Sequence, residues 1–159
     1  MTSDKNRRFY MMVGIPGSGK TTWISKNLPE YIRVVHTDSI RRNIYGYFPQ
    51  ELQDKLEKKV WDTAITDIRS YLSIGADTVL DSMALNAKFR SLLIRRIFGE
   101  SRINVDIIAV FLDTPLEVAI ERNREREKVV KETNIRNLSK FLEPPSRDEG
   151  FDLIIRVYS

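Results

Sequence analysis

Near its N-terminus the chain contains the octet Gly14-Ile15-Pro16-Gly17-Ser18-Gly19-Lys20-Thr21. The octet fits the pattern G-x-x-x-x-G-K-[ST], and it follows the apolar run Phe9-Tyr10-Met11-Met12-Val13, which predicts a buried strand. Glycines let backbone N–H groups turn inward around phosphate oxygens, and a helix that starts at the end of the octet directs its positive N-terminus to the same charge. We therefore interpret the octet as a phosphate-binding P-loop.

The side chains at the end of the octet have specific roles in a P-loop. Lys20 is expected to neutralise the β- and γ-phosphates of a nucleotide, and the Thr21 hydroxyl is expected to ligate Mg²⁺. Thr22 is the next residue of the helix that is predicted to follow. The candidate nucleotide-binding residues of this segment are Gly14, Ile15, Pro16, Gly17, Ser18, Gly19, Lys20, Thr21 and Thr22.

The bulk properties predict one globular domain. With 159 residues, of which 42% are hydrophobic and 30% charged, positions 1–159 are expected to form a single domain around one core. The 26 lysines and arginines exceed the 22 aspartates and glutamates, so the formal charge is +4. This small excess favours an anionic partner such as a nucleotide or a nucleic acid.

The sequence also carries signals about the compartment. It contains no cysteine, which excludes a disulfide framework and a thiolate metal site and suits a reducing cytosol. No apolar stretch approaches the roughly 18 residues of a membrane span. The polar start at residues 1–8 lacks the apolar core of a secretion signal. We therefore expect a cytoplasmic protein without a membrane partner.

Apolar runs alternate with longer helical patterns along the chain, which is typical of βαβ units. The sequence therefore predicts an α/β protein with a parallel sheet covered by helices on both faces. Strands are predicted at 9–13, 32–36, 77–81, 104–112 and 152–157. Helices are predicted at 21–28, 49–74, 87–98 and 134–142, and one more begins after the fourth strand.

Several helix ends carry capping signals. Thr114 is expected to be the N-cap of the helix after the fourth strand, with Pro115 at the first helical position and Glu117 completing a capping box. Gly75 is expected to end helix 49–74, and Asn86 to cap helix 87–98.

Apolar side chains at helical spacing predict the buried faces of these helices. Trp23 and Trp61 lie on such faces and are interpreted as core residues. The buried stripe predicted on helix 49–74 comprises Leu52, Leu56, Val60, Ala64, Ile68 and Leu72.

Ligands of open α/β sheets bind outside the carboxyl ends of the strands, so residues just after each predicted strand are candidates for the site. Asp38 follows strand 32–36 at the start of a helix, and Arg41 lies three residues later on the same face. Phosphoryl transfer to a hydroxyl needs a carboxylate that accepts the proton, which makes Asp38 the candidate general base. The alternative at this point is that Asp38 or Ser39 only caps the helix.

A second carboxylate, Asp81, ends strand 77–81. A carboxylate at this place is suited to assisting Mg²⁺ as a Walker B-like acid, or to orienting Arg41 or the acceptor. The alternative is a simple strand-end turn, because Asp-Ser is common in turns. His36, the only histidine, has no neighbour suited to a catalytic triad or a metal site and receives no role.

The charged run at residues 121–128 carries Arg122 and Arg126 on one predicted helical face. A mobile, arginine-rich lid that closes over the nucleotide would stabilise charge in the transition state. The alternative is an exposed helix face with Glu–Arg pairs.

These motifs together resemble the P-loop polynucleotide 5′-hydroxyl kinases, such as the kinase half of the phage end-healing kinase–phosphatase and the bacterial RNA-repair kinases. The resemblance spans nearly the whole chain. It rests on Gly14–Thr21, Asp38-Ser39-Ile40-Arg41, Asp81-Ser82-Met83-Ala84-Leu85-Asn86, and Phe111-Leu112-Asp113-Thr114-Pro115 leading to Arg122-Asn123 and Arg126. The segment Gly150-Phe151-Asp152 also resembles many relatives in the wider group. The resemblance implies an adenylate-kinase-like three-layer sandwich whose parallel sheet has the strand order 2-3-1-4-5.

The resemblance also implies roles for individual residues. Lys20 and Thr21 would hold ATP, or another nucleoside triphosphate, with Mg²⁺. Asp38 would activate the 5′-hydroxyl of a DNA or RNA end, and Arg41 would engage the acceptor phosphate. Asp81 would position Arg41 or the acceptor. Arg126, with Arg122 beside it, would clamp the donor phosphates from the lid. The family's Asp-x-Asp-Gly-Thr phosphatase motif does not occur in the sequence.

Three hypotheses about function follow. The leading one is a kinase that transfers the γ-phosphate of ATP to the 5′-hydroxyl of DNA or RNA. The second is a P-loop kinase of a small acceptor such as a nucleoside, a sugar or a nucleotide-sugar, because a P-loop followed by Asp-x-x-Arg occurs in those kinases too. The third is a nucleotide-binding module that senses nucleic-acid ends without catalysis. The sequence does not indicate the oligomeric state.

Overall fold

The structure is a computed structural model that describes residues 5–47, 49, 51–100 and 104–158. The first four residues of the polar start and Gln50, which belongs to the predicted helix 49–74, lie outside the described residues. The elements are β1 (Arg7–Val13), α1 (Lys20–Asn27), β2 (Arg33–His36), α2 (Thr37–Tyr45), α3 (Asp54–Ser73), β3 (Thr78–Asp81), α4 (Ala87–Phe98), β4 (Val105–Asp113), α5 (Leu116–Arg124), α6 (Glu132–Ser139), a 3₁₀ turn (Arg147–Glu149) and β5 (Leu153–Tyr158).

Within the described residues the strands form one five-stranded parallel sheet in the order β2-β3-β1-β4-β5. This confirms the expected α/β fold and the expected strand order. β1 lies at the centre, where Phe9 pairs with Thr78 of β3 and with Ile107 of β4. From Phe9 to Val13 every residue of β1 is buried, because a central parallel strand is covered on both faces.

The side chains of β1 alternate between two core clusters. Phe9, Met11 and Val13 pack in a first cluster with apolar residues of α3 and α4. Tyr10 and Met12 point the other way into a second cluster that includes residues of α1. Successive side chains of a strand point to opposite faces, so one apolar run supplies both layers. The helices on both faces are therefore confirmed.

Most predicted helix ends are confirmed, and some are displaced. The Asn86 side chain accepts a hydrogen bond of 2.8 Å from the Phe89 amide at the start of α4. Gly75, with φ of 83°, directly follows Ile74, the C-cap residue of α3. The start of α5 lies one residue later than predicted: Pro115 occupies the N-cap position, so the prediction that Thr114 is the N-cap was wrong. The Thr114 hydroxyl donates to the carbonyl of Ser18.

Three helix boundaries from the sequence, in two helices, were wrong by more than one residue. α3 begins at Asp54 and not at Pro49, so Leu52 precedes the helix and is 59% exposed. The other buried positions of the stripe were correct for Val60, Ala64, Ile68 and Leu72. α6 begins at Glu132 and ends at Ser139, earlier at both ends than predicted.

The topology brings the candidate residues to one edge of the sheet. The P-loop follows β1, α2 follows β2 without an intervening loop, and Asp81 ends β3. His36 and Asp81 are directly opposite each other in the pairing of β2 with β3. The carboxyl ends of these parallel strands therefore converge where ligands bind in open α/β sheets. No helix in the described part of the chain combines the length and the apolar composition that crossing a membrane requires.

Candidate active site

The P-loop turns at the end of β1 and leads directly into α1. Gly17 and Gly19 have left-handed φ values of 84° and 93°, which residues with a Cβ rarely adopt. Gly17 has a second constraint, because a Cβ there would lie 2.2 Å from the carbonyl oxygen of Ala119. The loop therefore packs directly on the backbone of α5. Ile15 and Ser18, which are part of the loop, are buried.

The Lys20 side chain lies over the P-loop. Its ammonium donates hydrogen bonds of 3.0 Å to two carbonyls of the loop. Burial lowers the pKa of Lys20 to about 8, while the carboxylates of Asp81 and Asp38 oppose this shift and Arg126 adds to it. Because the buried cation is not fully compensated by its neighbours, a bound phosphate would stabilise its charged form.

Thr21 and Asp81 meet beside the P-loop. The Thr21 hydroxyl donates a hydrogen bond of 2.8 Å to Asp81 Oδ2, and Asp81 is 4% exposed at the end of β3. Hydroxyl and carboxylate oxygens are hard ligands of the kind Mg²⁺ takes together with water and substrate phosphates. The donor set therefore fits a magnesium ion. This contact favours the metal-assisting role of Asp81, and its acceptor-binding role stays a prediction.

Asp38 lies in the first turn of α2. His36 occupies the N-cap position of this helix, so neither Asp38 nor Ser39 is its N-cap residue. The His36 ring contacts Ser39 Oγ at 2.9 Å through Nδ1, and its Nε2 lies 3.9 Å from Asp81 Oδ2. The Asp38 carboxylate is therefore available for contacts in the cleft.

Two cations flank the Asp38 carboxylate. Arg41 donates a hydrogen bond of 3.0 Å to Oδ1, and the Lys128 ammonium lies 3.9 Å from Oδ2. Burial raises the pKa of Asp38, but Lys128, Arg41 and His36 together outweigh burial, and the pKa lies below its usual value. Asp38 is therefore ionised near neutral pH and able to accept a proton.

The sequence did not indicate that Glu57 belongs to this site. The Nε atom of Arg41 donates to both carboxylate oxygens of Glu57, at 3.0 and 3.2 Å, and the Tyr45 hydroxyl donates to Glu57 at 3.0 Å. Glu57 thus fixes the guanidinium that contacts Asp38. The contact joins two different helices, and no local spacing could have predicted it.

The two predicted lid arginines reach the P-loop from different elements. Arg122 lies on α5, and its Nη1 is 3.5 Å from the Ser18 carbonyl oxygen. Arg126 follows the end of α5 at Arg124, so the expectation that Arg122 and Arg126 share one helical face was wrong. Both arginines nevertheless line the cleft beside the P-loop.

The loop that carries Arg126 and Lys128 is closed by Asn123. The Asn123 amide donates to the carbonyl of Val130 at 2.6 Å and accepts from the Val130 amide at 3.0 Å. Asn123 is 2% exposed. One buried side chain therefore fixes both ends of the loop, and Lys128, which the sequence did not single out, is brought to Asp38.

A cleft of about 710 Å³ brings most of the predicted residues together. Apart from the P-loop, the predicted residues on its lining are Asp38, Arg41, Asp81, Arg122 and Arg126. The P-loop contributes Pro16, Gly17, Gly19, Lys20, Thr21 and Thr22. A neighbouring hollow of about 600 Å³ is lined by His36, Asp38, Ser39, Arg42, Asn43, Arg126 and Lys128.

Solved structures of other proteins share this fold. One chain of the Pnkp1/Rnl/Hen1 RNA repair complex matches with a TM-score of 0.74 and 16% identity, over 89% of this chain and 45% of that chain. A sugar kinase from Janibacter sp. HTCC2649 matches with a TM-score of 0.65 and 23% identity, over 96% of this chain and 85% of that chain. A fungal RNA kinase matches with a TM-score of 0.63 and 15% identity, over 94% and 73%.

These matches, all under 25% identity, show a P-loop kinase fold and do not identify the acceptor. The chain spans less than half the length of the RNA repair chain that it matches. No curated protein sequence matches it significantly. The AAA domain family matches residues 9–145, which include the P-loop, Asp38, Asp81 and both lid arginines, and the chain therefore belongs to the AAA domain family.

Proposed function

We propose that the protein is a polynucleotide kinase that transfers the γ-phosphate of ATP, or of another nucleoside triphosphate, to the 5′-hydroxyl end of DNA or RNA. The observation that carries the proposal is the ionised Asp38 carboxylate, which lies in one cleft with Lys20 and contacts Arg41 and Lys128. A base, a phosphate-binding loop and surrounding cations are the groups that phosphoryl transfer to an alcohol needs.

The donor side of the cleft is suited to a triphosphate. Backbone N–H groups of the P-loop and the Lys20 ammonium would bind the β- and γ-phosphates. Arg122 and Arg126 would stabilise the charge that develops on the transferred group. Thr21 and Asp81 would hold Mg²⁺, which when bound supplies further neutralisation of the phosphate oxygens.

The acceptor side of the cleft is suited to a hydroxyl next to a negative charge. Asp38 would accept the hydroxyl proton while that oxygen forms a bond to the γ-phosphorus and the bond to the β-phosphate oxygen breaks, releasing the nucleoside diphosphate. Arg41, fixed by Glu57, would orient Asp38 and contact the acceptor phosphate.

Cations extend from this point away from the P-loop. Arg42 and Lys128 line the neighbouring hollow together with Asn43. A nucleic-acid strand carries a phosphate on every nucleotide, and such phosphates attract lysine and arginine. This arrangement supports an acceptor that is itself anionic, as does the positive net charge of the chain.

The direct test is incubation with γ-labelled ATP, Mg²⁺ and 5′-OH oligonucleotides of DNA and RNA. We expect label on the oligonucleotide and none when its 5′ end already carries a phosphate. Absence of label on every oligonucleotide, with Mg²⁺ and salt varied, would contradict the proposal.

A second candidate is a kinase of a small acceptor. The match to the sugar kinase favours this candidate, because it covers 85% of the sugar kinase chain. The match to the RNA repair chain covers only 45% of that chain. The same labelled ATP should then label a sugar, nucleoside or nucleotide-sugar and no oligonucleotide. If wild type and Asp38→Asn both bind ATP and transfer nothing, a non-catalytic end-sensing module gains support instead.

A further inference from the structure

One wall of the cleft is apolar and has no role in phosphoryl transfer. We call it the aromatic wall, and it consists of Trp61, Met83, Leu85 and Phe89, all of which line the cleft and are half-buried. The rings of Trp61 and Phe89 meet edge to face, with centroids 4.9 Å apart and an interplanar angle of 78°. The pair packs against the first core cluster and also faces the cleft, so the rings are fixed in place.

Two contacts and one helix connect Asp38 to the aromatic wall. Asp38 contacts Arg41, and Arg41 contacts Glu57. Trp61 lies four residues after Glu57 on α3, and residues four apart lie on the same face of a helix. The indole is therefore one helical turn beyond the residue that fixes Arg41, on the acceptor side of the cleft.

A polar atom without a partner lies at the same wall. The hydroxyl oxygen of Ser82 is buried and has no hydrogen-bond partner among the described residues, and Ser82 lines the cleft next to Met83. Buried polar groups are normally satisfied, so an orphan hydroxyl in a cleft points to a ligand atom or to water. The backbone beside it is held firmly, because the carbonyls of Ala84 and Leu85 both accept hydrogen bonds of 2.8 Å from the buried Arg90.

The combined chemistry selects one kind of occupant. A flat ring with apolar faces and a polar edge matches aromatic side chains beside a single hydroxyl. The neighbouring cationic hollow, which also contains Asp38, matches a phosphate. A sugar carries several hydroxyl groups that need hydrogen-bonding partners when they are buried, and the side chains of this wall are mainly apolar, which favours a base. We infer that the aromatic wall binds the nucleobase of the acceptor's 5′-terminal nucleoside, an inference that rests on the proposed function.

The test compares two acceptors. One is a 5′-OH oligonucleotide, and the other is the same oligonucleotide with an abasic 5′-terminal sugar, which keeps the hydroxyl and every phosphate. Stacking of a base on an aromatic side chain contributes roughly 5- to 100-fold in affinity. We expect loss of the base to raise the acceptor KM of the wild type by a factor in this range, with the KM for ATP unchanged.

Two tryptophan variants complete the comparison. Trp61→Leu should raise the acceptor KM for the full oligonucleotide by a similar factor and should have no further effect on the abasic one. Trp23→Leu is the matched control, because Trp23 lies on α1, packs on the second core cluster and does not line the cleft. Equal KM values for the two acceptors, or an equal effect of Trp61→Leu on both, would overturn the inference and leave the kinase proposal intact.

A binding measurement separates this inference from the proposed activity. In Trp23→Phe, Trp61 is the one remaining tryptophan. Its fluorescence should be quenched more by the full oligonucleotide than by the abasic one, in the absence of ATP. Such quenching in a protein that labels no oligonucleotide would refute the kinase and retain the base pocket. Quenching by ATP together with equal responses to the two oligonucleotides would assign the wall to the donor base and overturn the inference.

Discussion

At the scale of single residues, the charge state of Asp38 is set by its neighbours. Burial raises its pKa, and the nearby cations Lys128 and Arg41 lower it by more. The carboxylate is therefore unprotonated at the pH at which a kinase works. An amide in the same place keeps the shape and a hydrogen-bond acceptor but cannot take up a proton from a hydroxyl.

Asp38→Asn is expected to lower kcat by about 10²–10⁴-fold, which is the usual contribution of a general base. The KM for ATP should stay close to that of the wild type, because the P-loop and Lys20 are unchanged. Transfer of label to the acceptor measures both constants. Asp106→Asn is the control. Asp106 lies near the amino end of β4, whereas the cleft lies at the carboxyl ends of the strands. Full turnover in Asp38→Asn would remove the residue from the role of base.

The lowered pKa of Lys20 predicts that nucleotide binding depends on pH. Its pKa is lowered to about 8, so in the free protein the ammonium loses its proton as the pH rises through 8. A bound triphosphate favours the charged form, and ATP binding must therefore take up protons above that pH. Calorimetry in buffers of different ionisation enthalpy should show uptake that increases between pH 7 and 9 and approaches about one proton per ATP. Lys20→Arg stays charged and should not show this increase; an identical profile for both proteins would refute the prediction.

At the scale of elements, the P-loop and α5 are in direct backbone contact at Gly17. Gly17→Ala adds a methyl group 2.2 Å from the Ala119 carbonyl oxygen at a φ of 84°. Gly46 has a similar φ of 80° but no atom within 4 Å of an added Cβ, which makes Gly46→Ala the matched control. The control should lose about 1–2 kcal/mol of unfolding free energy from the unfavourable φ alone.

Gly17→Ala should lose about 2–5 kcal/mol, because the clash with backbone adds to the cost of the φ angle. Urea unfolding of the two variants measures the difference. Equal losses would mean that α5 moves away from the loop without cost.

The segment after α5 should act on the transferred phosphate through Arg126. Arg126→Ala is expected to lower kcat by up to about 10³-fold, since an arginine that stabilises the transition-state charge contributes this much. Arg124→Ala is the control, because Arg124 pairs with Glu121 and Glu132 and does not line the cleft. Single-turnover label transfer at saturating ATP distinguishes the two. Equal rates for both variants would support the interpretation of this run as an exposed charged surface.

At the scale of the whole molecule, Arg90 joins three separate segments. This fully buried guanidinium on α4 pairs with both oxygens of Glu149, at 2.6 and 3.2 Å. It also donates to the carbonyls of Ala84 and Leu85 after β3 and to that of Glu143, at 2.8, 2.8 and 2.9 Å. The chain before β5 is thereby fixed to the segment after β3 that lines the cleft.

Arg90→Met should therefore lower the free energy of unfolding by about 3–5 kcal/mol, because it leaves the buried Glu149 carboxylate without its cation. The double variant Arg90→Met/Glu149→Leu should recover a large part of this loss, since it removes the second charge as well. Urea unfolding of the wild type, the single variant and the double variant measures these free energies. Arg136→Met, which breaks exposed ion pairs to Glu117 and Glu132, should lower the free energy of unfolding far less. A loss no larger than that of Arg136→Met would contradict a stabilising role of the buried pair.

Local spacing in the sequence was enough to predict the P-loop, the alternation of strands and helices and the strand-end carboxylates. These features depend on residues that are neighbours along the chain, such as the glycines of Gly14–Thr21 or the stripe of α3. The strand order followed from the resemblance to a known family, and the structure confirmed it. Helix starts were less accurate for α3 and α6, because the first residues of both helices are exposed and no buried periodic pattern marks them.

Contacts between distant residues had no signal in the sequence. Arg41 meets Glu57 sixteen positions away, and Arg90 meets Glu149 across 59 positions. Lys128 lies 3.9 Å from Asp38, on the loop that Asn123 closes. Residue types and their spacing along the chain thus specified a phosphate-binding α/β protein. Which cation contacts which carboxylate, and that Trp61 faces the cleft, was set by the packing of helices against the sheet, because packing alone brings such residues within a few ångströms of each other.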